Sequence, residues 1–172
     1  VAADFALAGA PLDRFMFPVV AGYKTSLNLN NTNVDEAGVD VTITLRAPDG
    51  SVLGQVEKHL ALSEQLNDYI ANIFADNPGV VDSAAWLEIK SSQNLILGTI
   101  TYKGEANRLI ATYGLSGTPY ERFLFPIVSQ TDAYQTGVAL LNPGDSAAHL
   151  VVEIWRTGGL MIGPDAFFNS RS

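Results

Sequence analysis

The sequence predicts an all-β protein: an antiparallel β-sandwich in tandem copies, with one short helix per copy. Three observations carry this. Apolar and polar residues alternate with a period of two over several segments, turn-forming clusters punctuate them, and one stretch of sequence recurs about a hundred residues later. Residues Gly9 to Val20 (GAPLDRFMFPVV) align with Gly117 to Val128 (GTPYERFLFPIV). Seven of the twelve positions are identical, at an offset of 108 residues.

The alignment continues with small slips. Thr25, Leu27 and Leu29 answer Thr136, Val138 and Leu140. Val39, Val41 and Ile43 answer Leu150, Val152 and Ile154. Gly50 and Leu53-Gly54 answer Gly159 and Ile162-Gly163, and upstream Phe5 and Leu7 answer Tyr113 and Leu115. The expected organisation is therefore a last strand of a preceding copy (1–8), one complete sandwich (9–116) and the first half of another (117–172).

Within the complete copy the elements follow in order. Arg14 to Pro18 leads from linker to first strand, with the proline ending ladder donation. Lys24 to Asn30 alternates with Leu27 and Leu29 inward. Val39 to Leu45 alternates strictly, as a half-buried strand does. Pro48-Asp49-Gly50 is a hairpin-type turn. His59 falls in a further strand. Ser63 to Phe74 places Leu66, Tyr69, Ile70, Ile73 and Phe74 at helical spacing behind a Ser63 N-cap, with Asn77-Pro78-Gly79 as the stop; this predicts a helix across an open end of the sandwich. Ala85 to Lys90, Leu95 to Tyr102 and Arg108 to Leu115 complete the strands. In the second copy Asn142-Pro143-Gly144-Asp145 is another turn.

Composition narrows the function. Apolar residues make up 47% of 172 residues, enough for a buried core, while charged residues are only 16%. Ser, Thr, Asn and Gly fill the polar positions, a mix common in secreted proteins. The net charge of −8 repels phosphate backbones and anionic bilayers, so neither nucleic acid nor a membrane surface is an expected partner. No apolar run reaches the length of a membrane-spanning helix. Without cysteine there are no disulfides, thiol nucleophiles or Cys-based metal sites.

Candidate chemistry is sparse. His59 and His149 occupy non-equivalent places in the two copies, and no Gly-x-Ser-x-Gly elbow accompanies them, so no enzyme is expected. Asp35, Glu36, Asp40, Asp49, Asp76 and Asp82 lack the spacing of a calcium loop, and neither a metal nor another cofactor is expected. Gly158-Gly159 reads as a β-turn and not as a phosphate loop. Trp86 and Trp155, on alternating strands, read as core. Tyr23 and Tyr134 sit in loops at matching points of the two copies and are the candidate ligand contacts. Arg14 and Arg122 recur in the repeated segment and are either ligand contacts or fixed salt bridges.

The pattern Phe17-Pro18-Val19-Val20, then Thr25-x-Leu27-x-Leu29-x-Asn31-Thr32, then Val39-x-Val41-x-Ile43, then Asp49-Gly50, resembles tandem repeats of large secreted or surface proteins of environmental bacteria. The outline is also similar to the small sandwich of the sensory-rhodopsin-transducer type. The first resemblance implies an extracellular or cell-surface location and a structural or adhesive role, with no catalytic residues to carry over. A half-copy over 117–172 is expected to expose strand edges, which another chain or residues 3–8 would cover, joining chains by strand exchange. Other surface proteins or glycans are the remaining expected partners, with a carbohydrate- or polymer-binding module as the alternative reading.

Overall fold

The computed structural model describes residues 12–33, 38–93, 96–105 and 109–114 of the first part of the chain. Beyond these it describes 122, 138, 140–142, 144, 146–155 and 161–163. Two compact units divide the chain, Val1–Leu141 and Asn142–Ser172.

The first unit is a β-sandwich. Its strands are β1 (Arg14–Pro18), β2 (Lys24–Asn31), β3 (Val39–Arg46), β4 (Val52–Leu60), β5 (Gln65–Tyr69), β6 (Trp86–Ser91), β7 (Ile96–Lys103) and β8 (Leu109–Gly114). Between β5 and β6 lie two short helices, α1 (Ile70–Ile73) and α2 (Gly79–Ser83). One sheet has the order β1-β6-β3-β4 and the other β5-β2-β7-β8, all pairs antiparallel. In the second unit β9 (Ile154–Trp155) pairs with β10 (Met161–Gly163).

Strict alternation sets the core. Leu27 and Leu29 of β2, Val39, Val41, Ile43 and Leu45 of β3, Leu87 and Ile89 of β6, and Ile96 and Ile100 of β7 are all fully buried. They close on Phe15 of β1 and on Ile70, Ile73 and Phe74 at the α1 end. Each such side chain contributes about 2 kcal/mol by leaving water.

The recurrent residues have structural work to do. Phe15 and Phe17 lie within β1 itself and not in a lead-in to it, and Pro18 is the strand's last paired residue, opposite Trp86. The Pro18 carbonyl accepts the hydroxyl of buried Tyr102 at 2.6 Å, which ties the two sheets together where the chain leaves one for the other. Asn31, at the end of β2, donates from Nδ2 to the carbonyls of Leu60 and Ala61 at 3.0 and 2.9 Å and accepts from the Asn33 amide at 2.9 Å. It thereby seals the crossing from β4 to β5. Gly50 takes φ +85° in the β3–β4 turn, a left-handed conformation that glycine adopts at no steric cost.

The helix expected over Ser63–Phe74 is corrected. Gln65–Tyr69 is a strand paired with Asn30–Ser26, and only Ile70–Ile73 is helical. The edge of the second sheet offers β2's free hydrogen-bonding groups to this segment, and that ladder outweighs the helical spacing of its apolar residues. Ser63 is not an N-cap: it takes φ +60° in the turn between the sheets. Asn77-Pro78-Gly79 does not end the helical region but leads into α2.

Candidate functional site

The densest polar cluster among the described residues lies on the outer face of the first sheet. With Leu87 and Ile89 of β6 facing the core, Trp86, Glu88 and Lys90 must face outward. Met16 and Thr44 are the cross-strand neighbours of Glu88. One step along the strands, Arg14 stands opposite Lys90, and Arg46 opposite Trp86. Two arginines therefore approach Glu88 diagonally from either side.

Both carboxylate oxygens are engaged. Arg14 donates to Oε1 from Nε and Nη2 at 2.8 and 2.7 Å. Arg46 donates to Oε2 from Nε and Nη2 at 3.0 and 2.8 Å, and from Nη1 to the Gly50 carbonyl at 2.9 Å. Lys90 Nζ lies 3.4 Å from Oε1. The Arg46 guanidinium also covers the Trp86 ring, 5.2 Å from its centroid. The Glu88 side chain is left only 2% exposed, although it stands on a solvent-facing side of the sheet.

Burial pushes the Glu88 carboxyl up. The hydrogen bonds from Arg46 and Arg14 and the charge of Lys90 outweigh that, and hold it below the usual carboxylate range. Such a carboxylate is a fixed counter-ion. With its oxygens occupied, it has no lone pair placed for proton transfer to a substrate.

Arg14 is thus in a salt bridge, the structural alternative of its two sequence readings. Arg122 is exposed, and Tyr134 lies outside the described residues. Tyr23 is exposed in the β1–β2 turn, where its amide donates to the Val20 carbonyl. Trp86 is corrected: it sits half-buried on the outer face beneath Arg46 and not in the core, because the alternation of β6 is set by Leu87 and Ile89. Trp155 lies in β9.

His59 of β4 pairs with Asp40 of β3, Nδ1 to Oδ1 at 2.7 Å. Ser92 is near, its hydroxyl accepting the Asp40 amide at 3.1 Å. This is no triad, because His59 Nε2 is turned onto Gly38, into the space a Cβ there would fill. His149 is exposed in the second unit. Asp49 accepts from the Ser51 hydroxyl and amide, which hold its carboxyl below the ordinary value; it is a turn residue. No group of three or more His, Asp or Glu side chains is placed to hold a metal among the described residues.

The reading of the sequence alone misses Glu88 and Arg46. Its available signal is the alternation Trp86-Leu87-Glu88-Ile89-Lys90, which places a carboxylate between two outward side chains. Their partners, 74 and 42 residues away, follow only from the strand register.

No protein-family model matches the chain, and no curated protein matches it in sequence. Among solved structures, the chain is similar to the crystal structure of Thermotoga maritima 1070, with a TM-score of 0.48 and 14% identity. The match covers 62% of this chain and 94% of that one.

Proposed function

We propose that the chain is a non-catalytic structural or adhesive module of a secreted or cell-surface protein, built from tandem sandwich copies that join by strand addition. One contrast supports this most. Leu27, Leu29 and Val39 are wholly buried, while the residues that answer them in the sequence, Val138, Leu140 and Leu150, are 45%, 37% and 59% exposed. Val151, next to Leu150 in the sequence, is exposed as well. Apolar residues left in water call for a cover, and a second copy of the chain supplies one of matching sequence pattern.

The residues that recur also favour a structural role. Phe15, Phe17, Pro18, Leu27 and Leu29 serve the core or the crossing between sheets, and none of them carries reactive chemistry. Light scattering on the purified chain over a range of concentrations tests the reading. Dimers or larger species are expected, and Leu150→Asp should return the chain to monomer while the main thermal transition stays in place. A stable monomer at high concentration overturns it.

A further inference from the structure

Strand register fixes which side chains of the first unit face between its two sheets, because residues directly opposite each other share a face. Two inward positions carry a charge. Lys58 of β4 stands opposite Val41, and Asp68 of β5 opposite Leu27, and both of those apolar partners are wholly buried. Lys58 is itself exposed, although its neighbours on the same face of β4 are buried Leu60 and half-buried Val56. Among the described residues, no other inward position of the eight strands is charged. Both charges fall on strands that end their sheets, β4 beside β3 and β5 beside β2. The two strands follow each other in the chain and border the same side of the sandwich, where Asn31 of β2 holds the Leu60 and Ala61 carbonyls.

We propose that Lys58 and Asp68 guard this side of the sandwich against pairing with strands of other chains. β4 is the longest strand of the unit, nine residues, and the N–H and C=O groups on its outer edge are a template for a further strand. Lys58 reaches water by running its stem out past that edge. A strand added to β4 would lie across this route and set its own inward side chains beside the ammonium. The charge would then be buried without a partner, which costs more than the new ladder returns. Asp68 does the same for β5. Its carboxylate accepts the Tyr69 amide and Asn72 Nδ2, each at 2.7 Å, and these bonds fix it at the rim. An apolar side chain at position 58 would serve the core better, beside Val41 and Leu60. The lysine therefore answers a requirement from outside the unit.

The opposite side of the sandwich lacks such charges. There the sheets end in β1 and β8, whose inward residues include Phe15 and Phe17, and Ala111 and Tyr113. β1 is short and ends at Pro18, which has no N–H to offer a partner. Tyr113 is 52% exposed and meets Tyr102 edge to face. The inward charges are thus confined to the side with the longest free edge. This goes beyond the assembly proposed above and does not rest on it, since a chain that stays monomeric needs the same protection.

Sedimentation velocity on the whole chain carrying Leu150→Asp, with and without Lys58→Val, tests the proposal. Lys58→Val should lower the concentration at which larger species form by about tenfold, with a thermal transition no lower than before. It removes a positive charge from an acidic chain, so net repulsion works against this result. Amide hydrogen exchange in β4 should slow in the associated species. Lys58→Met, which keeps the length and loses the charge, should act in the same direction. Asp68→Asn, which keeps an acceptor for the Tyr69 amide, should act more weakly. Gln55→Val places the same side chain on the outward face of β4, opposite Thr44, and should leave the size unchanged. The proposal is overturned by an unchanged size in both Lys58 variants, by association without slower exchange in β4, or by equal association in Gln55→Val. A Leu150→Asp chain that already associates counts against the assembly proposed above alone, because the guard is read from the change that the Lys58 variants add.

Discussion

The two outer faces of the sandwich are built on the same alternation and end in opposite states. On the first sheet, Glu88 points away from the core and is nonetheless buried, because the long side chains of Arg14 and Arg46 lie across it and pair with both its oxygens. Thr44, its neighbour on β3, is buried with it. On the second sheet the outward residues are mostly short: Ser26, Asn28, Thr99 and Thr101 cannot fold over one another and stay partly open. An outward position in a strand is therefore not the same as an accessible one. Side-chain length and charge decide which face becomes a sealed network and which stays a surface.

The sharpest way to break the contrast is Glu88→Gln. It leaves Arg14, Arg46 and Lys90 clustered without their counter-ion. Removing one partner of a buried pair costs about 3–5 kcal/mol; with Arg14 half exposed, a loss of about 3 kcal/mol is expected in urea denaturation. The pH response should follow. Folding holds the Glu88 carboxyl below its unfolded value near 4.5, so the folded state binds fewer protons there than the unfolded one. The stabilisation is present above that value and is lost as pH falls through the folded one. The acid limb of the stability curve should be shallower in Glu88→Gln, and an unchanged limb would place the acid sensitivity elsewhere.

Much of the sandwich is legible in the sequence, because alternation reports directly on which side chains reach the core. Val39–Leu45 and Lys24–Asn30 are read within a residue of their observed ends. The segment 63–74 is not legible, since its apolar spacing fits a helix and only the free edge of β2 makes Gln65–Tyr69 a strand. Trp86 misleads for a related reason. A large aromatic reads as core by composition, whereas Leu87 and Ile89 take the inward positions and leave the ring to Arg46. The Glu88 cluster joins β1, β3 and β6, which no local pattern brings together. The polar rows of the second sheet are spelled out in β2 as Ser26, Asn28 and Asn30, but their continuation into Thr99, Thr101 and Thr112 requires register.

A finer probe compares the two arginines. Arg46 is 25% exposed, binds the Gly50 carbonyl as well as Glu88 and covers Trp86, whereas Arg14 is 50% exposed and serves Glu88 alone among the contacts described. Arg46→Ala should cost about 2 kcal/mol and Arg14→Ala about 1 kcal/mol in the same denaturation experiment. If the two losses were equal, the seal over Glu88 would be symmetric and the packing on Trp86 would contribute nothing.

The smallest effect on stability is expected on the other face. Asn67 of β5 is exposed on an edge strand, between Gln65 and Tyr69 on the outward side. Its ladder bonds to β2 are made by the backbone and survive truncation of the side chain. Asn67→Ala should therefore change the unfolding free energy by less than about 0.5 kcal/mol. A loss above about 1 kcal/mol would show that the amides hold the sheet together as the Glu88 network does on the other face. The two faces would then differ in chemistry but not in role. A null effect on stability separates them: one face is held closed by its own charges, and the other leaves the hold on its strands to the backbone ladder.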